Sequence, residues 1–244
     1  MATKKATVAP LIDNPWALFL AVSHYVKRLL LHSEKPGTGK TTASIMLADA
    51  TQAERVVLEV HESDQASDLL GHWIPKGSGE WTWHDGPVTT AIRRAMKGIR
   101  SVLLLNELNN GGPDVQHVCY ALLETGKAAT FTLPSGEVLS WSPDHLVVLA
   151  TMNPKPEESG ICAAVLNRFQ VVLDIGEHVS PMILEALPPQ LSSMVADGRM
   201  ASREAFSLQE LVKSGCNPMV AVQAVLGSDR ARDYGDALAI SLAS

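Results

Sequence analysis

The stretch Ser33-Glu-Lys-Pro-Gly-Thr-Gly-Lys-Thr-Thr42 decides the fold. It follows the apolar run Arg28-Leu-Leu-Leu-His32 and precedes the helical pattern Ala43-Ser-Ile-Met-Leu-Ala-Asp-Ala50. An apolar run, a loop rich in Gly and Pro and a helical pattern together predict a strand, a loop and a helix. Loop N–H groups and a helix N-terminus then lie side by side, which is the arrangement that binds phosphate.

The loop fits most of the phosphate-binding signature Gly-x-x-x-x-Gly-Lys-Ser/Thr. Gly39, Lys40 and Thr41 match it, whereas Glu34 stands where the first glycine belongs and brings negative charge near the phosphates. In this signature the lysine reaches the β and γ phosphates and the hydroxyl binds Mg²⁺. A glycine-rich turn that merely carries a lysine is the alternative interpretation. The predicted ATP-binding residues are Pro36, Gly37, Thr38, Gly39, Lys40, Thr41 and Thr42.

A second apolar run, Val102-Leu-Leu-Leu-Asn106-Glu107, ends in polar side chains. It has the form of a strand whose carboxyl end faces a nucleotide. An Asp at the first polar position holds the Mg²⁺ shell by charge, but Asn106 offers only a neutral oxygen. We therefore expect weak Mg²⁺ binding by Thr41 and Asn106, and we expect Asn106→Asp to strengthen it. Glu107 keeps a carboxylate that polarises an attacking water, unless it is simply a solvated residue at a strand end.

The composition excludes several classes of protein. With 46% hydrophobic and 19% charged residues among 244, the chain is globular and not disordered, collagenous or a coiled coil. A net charge of -6 argues against nucleic acid or anionic membrane as a partner bound through overall charge. The three cysteines fit neither a disulfide framework nor a zinc site, and no early apolar run reaches the ~18 residues of a membrane span. We expect a cytoplasmic protein.

Short apolar runs alternate with helical patterns over residues 28–175 and predict an α/β fold, a parallel sheet covered by helices. The stretches His72 to Trp83 and Thr130 to Trp141 break this alternation and predict hairpins. Mostly helical patterns follow Ile175. We predict a nucleotide-binding domain over residues 1–177 and a small α-helical lid over residues 178–244.

Taken in order, the motifs resemble the MoxR-like branch of the AAA+ ATPases, a family of P-loop NTPases. The resemblance covers most of residues 28–175. The motifs that carry it are Lys35-Pro-Gly-Thr-Gly-Lys-Thr41, Asp68-Leu-Leu-Gly71, Asp85-Gly-Pro87, Asn106-Glu-Leu-Asn109, Pro113-Asp-Val115, Ala121-Leu-Leu-Glu124, Leu133-Pro-Ser-Gly-Glu137, Ala150-Thr-Met-Asn-Pro154 and Leu166-Asn-Arg-Phe169. The resemblance implies an AAA+ core with two hairpin insertions, ATP and Mg²⁺ as cofactors, and a hexameric ring. It also implies remodelling of a protein partner, often one with a von Willebrand factor A domain.

The resemblance further implies roles for single residues. Asn153 matches sensor 1, which binds the γ-phosphate or the attacking water, although it is alternatively a strand-end cap. Arg168 matches the arginine finger that reaches a neighbouring subunit's γ-phosphate, although it is alternatively a surface arginine paired with a carboxylate. Together with Glu107 these two complete the predicted catalytic set. The alignment puts Gln209 where the sensor 2 arginine belongs.

The hairpins carry aromatic residues, which either face a central pore and grip a protein partner or pack the hairpins onto the body. These aromatics are Trp73, Trp81, Trp83, Phe131 and Trp141. A basic strip formed by Arg93, Arg94, Lys97 and Arg100 is interpreted as a solvated face or a subunit contact.

The departures from the family pattern at Glu34, Asn106 and Gln209 indicate slow hydrolysis. The sequence therefore leaves an alternative function open, that of an ATP-binding assembly or scaffold protein with little turnover. A DNA-directed motor is a second alternative, which the net charge disfavours. A small-molecule kinase is a third, but it leaves Asn153, Arg168 and the hairpins without a role.

Overall fold

The computed structural model describes residues 12–124 and 129–243. Its strands are β1 (Arg28–His32), β2 (Glu54–Glu59), β3 (Gly71–Gly77), β4 (Glu80–Asp85), β5 (Ser101–Asn106), β6 (Ala129–Thr132), β7 (Val138–Trp141), β8 (Leu146–Met152) and β9 (Val171–Asp174). Its helices are α1 (Pro15–Ser23), α2 (Lys40–Ala50), α3 (Ala66–Leu70), α4 (Pro87–Met96), α5 (Pro113–Leu122), α6 (Ala163–Leu166), α7 (Pro181–Glu185), α8 (Pro189–Ala196), α9 (Ser202–Lys213) and α10 (Pro218–Ala243).

Five parallel strands form the central sheet in the order β2-β5-β8-β1-β9. Successive side chains of a strand point to opposite faces, and β1 follows this rule. Leu30 packs into the hydrophobic cluster on one face, whereas Leu29 and Leu31 pack into the cluster on the other. The strand is buried on both faces, which is why its sequence is a continuous apolar run. The predicted α/β fold with a helix-covered parallel sheet is confirmed.

Helices cover both faces of the sheet. Side chains of α3, α4 and α5 contribute to one hydrophobic cluster, and side chains of α1 and α2 contribute to the other. Helix α1 contains the apolar stretch at residues 16–22, and it begins at Pro15 with the Asn14 side chain accepting from the N–H of Trp16 at 2.8 Å. Trp16 and Phe19 are buried in the second cluster. The apolar stretch of α1 is therefore core-forming.

Two separate hairpins confirm the two predicted interruptions. In the first hairpin, β3 and β4 are joined by Ser78 and Gly79, both with positive φ (48° and 85°), as a tight two-residue turn requires. At the base of this hairpin Gly71 has φ 123°, and a Cβ there would lie 2.2 Å from the carbonyl oxygen of His84. Only glycine therefore fits where the hairpin leaves the body.

The hairpin aromatics divide between solvent and core. Trp73 and Trp81 are 49% and 61% exposed, whereas Trp83 is half-buried and its indole N–H donates to Asp85 at 2.9 Å. Phe131 and Trp141, on β6 and β7, are buried in the main hydrophobic cluster. The interpretation that these last two face a pore is wrong, because they pack the second hairpin against the body.

The C-terminal helices form a third hydrophobic cluster, which among the described side chains contains 12 buried residues between 183 and 238. Helix α9 begins at Ser202, and α10 is interrupted at Gly227, where φ is 78°. Two hydrogen bonds tie this cluster to the phosphate-binding loop. The N–H of Ser180 donates to the carbonyl of Thr38 (2.8 Å), and the hydroxyl of Ser202 donates to the carbonyl of Gly37 (2.5 Å). In the described part of the chain, no helix combines the length and apolar character that crossing a bilayer requires.

Candidate functional site

A cavity of about 240 Å³ opens at the carboxyl ends of β1, β5 and β8, the edge at which open parallel sheets bind ligands. The sheet and its loops contribute Pro36, Gly37, Gly39, Lys40, Thr41, Thr42, Asn106, Glu107, Thr151 and Asn153 to the lining. The C-terminal helices contribute Ile183, Ser202, Arg203 and Phe206. The structure thus brings together residues from five separate segments of the chain.

The loop backbone is shaped by two glycines. Gly37 and Gly39 have φ values of 76° and 100°, which side-chain-bearing residues rarely adopt. A Cβ on Gly39 would lie 2.7 Å from Ile183 Cδ1, so the helical cluster leaves no room for one. Helix α2 begins at Lys40, and its free N–H groups lie at the cavity. All the predicted loop residues line the cavity except Thr38, which is buried.

The ammonium group of Lys40 is buried in the cavity wall. Its Nζ donates to Asn153 Oδ1 at 3.2 Å and to the carbonyl of Ser33 at 3.4 Å. Burial lowers the pKa of Lys40 to about 8, and the nearby Glu107 carboxylate opposes that shift. Since both bonded acceptors are uncharged oxygens, an anionic phosphate would be a better partner for this cation.

Asn106 is the centre of a hydrogen-bond network. Its Oδ1 accepts from the hydroxyls of Thr41 and Thr151, each at 2.6 Å. Its Nδ2 donates to Oε2 of Glu59, also at 2.6 Å. The two predicted Mg²⁺ ligands, Thr41 and Asn106, are therefore adjacent, and their oxygens suit Mg²⁺, which binds few protein groups together with substrate phosphates.

Sequence reasoning missed Glu59. This residue ends β2 and lies opposite Asn106 in the register of the two strands. The polar end of the apolar run at residues 54–59 is a signal for it, but strand order is needed to show that these two residues are neighbours.

Glu107 has a strained backbone. Its φ is 55°, in the left-handed region that side chains other than Asn, Asp and Gly seldom occupy. Its N–H donates to Thr151 Oγ1 at 3.1 Å, and its Oε2 accepts from Asn110 Nδ2 at 3.1 Å. Such strain clusters at functional sites, where surrounding contacts maintain it. Here it keeps the carboxylate on the cavity wall.

The structure shows which of two residues on α9 lies at the cavity. Gln209 does not line the cavity, whereas Arg203 in the first turn of α9 does. The aligned residue and the cavity-lining arginine are six residues apart on this helix. The lid side of the cavity therefore carries an arginine, and a sensor 2 role for it is a prediction.

Arg168 lies away from the cavity of its own chain. Its guanidinium carbon lies 3.4 Å from the ring centroid of Tyr120, and its Nη1 donates to the carbonyl of Ala164 at 2.9 Å. Its Nη2 is 3.6 Å from Oε2 of Glu124. Within one chain, Arg168 therefore fits the alternative interpretation, in which it is an arginine paired with a carboxylate. A role towards a neighbouring subunit stays a prediction.

Glu34 also lies outside the cavity. Its carboxylate is 3.5 Å from Nζ of Lys155, and it raises the pKa of that lysine. The pair borders a second cavity that contains His32 and Asp174. The negative charge of Glu34 is therefore directed away from the predicted phosphate position.

Comparison with known families agrees with this geometry. Residues 35–169 match the model of the AAA domain, dynein-related subfamily. This is more than half of the chain, and the chain belongs to that family. The resemblance to AAA+ ATPases drawn from the sequence is confirmed.

Individual relatives are distant, and the chain spans less than half of the curated relatives named here. It is 28% identical to midasin of Giardia intestinalis over 153 residues, 61% of this chain and 3% of that protein. It is 26% identical to protein NorQ of Paracoccus denitrificans over 131 residues, 50% of this chain and 46% of that protein. The crystal structure of an ATPase candidate from Cytophaga hutchinsonii aligns over 65% of this chain and 44% of that chain, with 21% identity and a TM-score of 0.45.

Proposed function

We propose that the chain is a ring-forming AAA+ ATPase that couples ATP binding and hydrolysis to the remodelling or activation of a protein partner. One observation carries the ATPase part. Five side chains with complementary roles in phosphoryl transfer line one cavity at the carboxyl edge of the sheet, and these are Lys40, Thr41, Asn106, Glu107 and Asn153. Family membership supports the same activity.

Each of these side chains has a defined task. The loop N–H groups and Lys40 bind the phosphates, and Asn153, which Lys40 already contacts, binds the γ-phosphate or the attacking water. Glu107 orients that water and accepts its proton. Thr41 and Asn106 would hold Mg²⁺, which when bound would supply positive charge against the negative charge of the transferred phosphoryl group.

The helical cluster acts as a lid on the nucleotide. We assign residues 1–177 to the nucleotide-binding domain and residues 178–244 to the lid. Ser180 and Ser202 hydrogen-bond the loop carbonyls, and Arg203 reaches the cavity from the lid side. A nucleotide bound between these parts would contact both, so its hydrolysis would change their separation.

The ring and the partner are the further parts of the proposal. In a cytoplasmic hexamer, Arg168 of one subunit acts on the γ-phosphate of the next. The exposed Trp73 and Trp81 on the first hairpin offer a protein partner, such as one with a von Willebrand factor A domain, an apolar contact. The first hairpin is therefore the proposed partner-facing insertion.

Subunit mixing tests the composite site. Arg168→Ala and Glu107→Gln proteins should each be inactive and should regain part of the ATPase rate when mixed, because some interfaces then hold an intact copy of both residues. Native mass spectrometry confirms that mixed rings form. A mixture that stays inactive while mixed rings are present contradicts action across an interface.

A scaffold with little turnover is the second candidate, and the neutral Asn106 at the metal position favours it. The measured turnover number separates it from the first. The DNA-motor alternative loses support, because two members of the basic strip are neutralised. Arg93 pairs with Asp85 and Glu137 at 2.7 Å each, and Arg94 pairs with Glu54 at 2.9 Å.

A further inference from the structure

The contact between Glu59 and Asn106 brings a carboxylate next to position 106, where related ATPases have an acidic residue. Asn106 stands at the position of the usual acidic residue, and Glu59 Oε2 lies 2.6 Å from its amide nitrogen. Among the described residues, Glu59 is not part of the cavity lining, and its hydrogen bond to Asn106 connects it to the site. Any role of Glu59 in holding Mg²⁺ and nucleotide rests on the proposed function.

Hydrogen-bond chemistry fixes the orientation of the Asn106 amide. An ionised carboxylate only accepts hydrogen bonds, so Glu59 selects the NH₂ side of the amide. The carbonyl side must then point to the hydroxyls of Thr41 and Thr151, as observed. An asparagine satisfies both sides at once, and the short bond to an ionised partner is among the stronger kinds.

An aspartate at position 106 would not satisfy both sides. One of its oxygens would accept from Thr41 and Thr151, but the other would meet the carboxylate of Glu59. Two carboxylate oxygens at hydrogen-bond distance repel each other, so this arrangement would not be kept. The choice of Asn106 is thus explained by its neighbour on β2.

We propose that Glu59 is a positioning residue of the nucleotide site. Through its hydrogen bond to Asn106, it would supply the negative charge that the site lacks at position 106. It also holds the Asn106 oxygen towards Thr41. Glu59 and Asn106 together would then perform the Mg²⁺-holding role that a single acidic residue has in related ATPases.

The Glu59 carboxylate reverses the effect expected of Asn106→Asp from the sequence alone. Asn106→Asp should weaken Mg²⁺-dependent nucleotide binding, because the new carboxylate repels Glu59. Glu59→Gln should weaken it as well, because the charge is lost. A double variant, Glu59→Gln with Asn106→Asp, moves the carboxylate from position 59 to position 106 and is called the exchange variant. It should restore binding, because the Gln amide then donates to the new carboxylate.

The experiment is a titration of a fluorescent ADP analogue with the wild type, both single variants and the exchange variant, in Mg²⁺ and in EDTA. We expect each single variant to lose about tenfold in affinity in Mg²⁺, the scale of a lost hydrogen bond to a charged group. The exchange variant should return to within about threefold of the wild type in Mg²⁺. In EDTA, Glu59→Gln should bind as the wild type does, because position 59 is not part of the cavity lining. Glu54→Gln, at the other end of β2, is the matched control and should bind as the wild type does.

Thermal unfolding without nucleotide gives a second readout that is independent of metal. Asn106→Asp should lower the melting temperature, and the added Glu59→Gln should recover it. The proposal is overturned if Asn106→Asp alone binds Mg²⁺-nucleotide as tightly as the wild type, or if the exchange variant is no better than the single variants. A wild type that binds no nucleotide overturns the proposed function, and this proposal with it.

Discussion

The buried ammonium of Lys40 makes ATP binding sensitive to pH in a range where a lysine with the ordinary pKa stays protonated and has almost no effect. Burial lowers the pKa of Lys40 from 10.5 to about 8. A bound polyphosphate brings opposite charge to the group and raises its pKa again. ATP therefore binds the protonated form, and affinity should fall once the free protein loses that proton.

The size of the effect follows from the pKa. With a pKa of about 8, the charged fraction of Lys40 falls from about nine-tenths at pH 7 to about one-tenth at pH 9, so ATP affinity should fall about tenfold. A lysine with the ordinary pKa would change affinity by only a few per cent over the same range. Deprotonation of Lys40 does not destabilise the fold. The unfolded chain holds more protons at this site between the two pKa values, so the contribution of Lys40 to stability rises with pH there.

The assay is a titration of ATP by calorimetry from pH 7 to pH 9 in buffers of different ionisation enthalpy, which also counts the proton taken up on binding. Lys40→Arg is the control, because a guanidinium stays charged throughout and should remove the pH dependence even if binding is weaker. A flat wild-type profile, or the same profile in Lys40→Arg, would refute this reasoning.

Two further predictions concern the lid and the first hairpin. Arg203→Ala should weaken ATP binding by about tenfold, the scale of one bond to a charged group, while Gln209→Ala on the same helix should not change it, as fluorescence titration of both variants will show. Equal losses would restore the original assignment of Gln209. Trp81→Ala should leave the free energy of unfolding within about 0.5 kcal/mol of the wild type and weaken partner binding, whereas Trp141→Ala should cost about 3–5 kcal/mol in denaturant unfolding. An unfolded Trp81→Ala would show that this exposed residue is structural.

The sheet was predictable from sequence because parallel strands are buried on both faces. Leu29 to Leu31 and Val102 to Leu105 are continuous apolar runs for this reason, and each is followed by the polar residues of the site. Local spacing alone identified the phosphate-binding loop, because its function depends on consecutive backbone N–H groups.

What sequence reasoning could not supply was the relation between distant segments. Glu59 lies beside Asn106 because β2 is the neighbour of β5 in the sheet. Local sequence patterns do not predict which strands are neighbours. Arg203 was missed because the start of α9 has few apolar residues to mark it. Phe131 and Trp141 were open to two interpretations, since an alternating strand pattern does not state which face meets the core.

The central claim is that this cavity binds and hydrolyses ATP with Glu107 as the residue that activates water. The most direct measurement is phosphate release from ATP and Mg²⁺ by the wild type and by Glu107→Gln, alongside ATP affinity for both. We expect similar affinities, measurable turnover by the wild type and a loss of at least about a hundredfold in the variant, the scale of a general base. Undiminished turnover in Glu107→Gln, or a wild type that does not bind ATP, would contradict it.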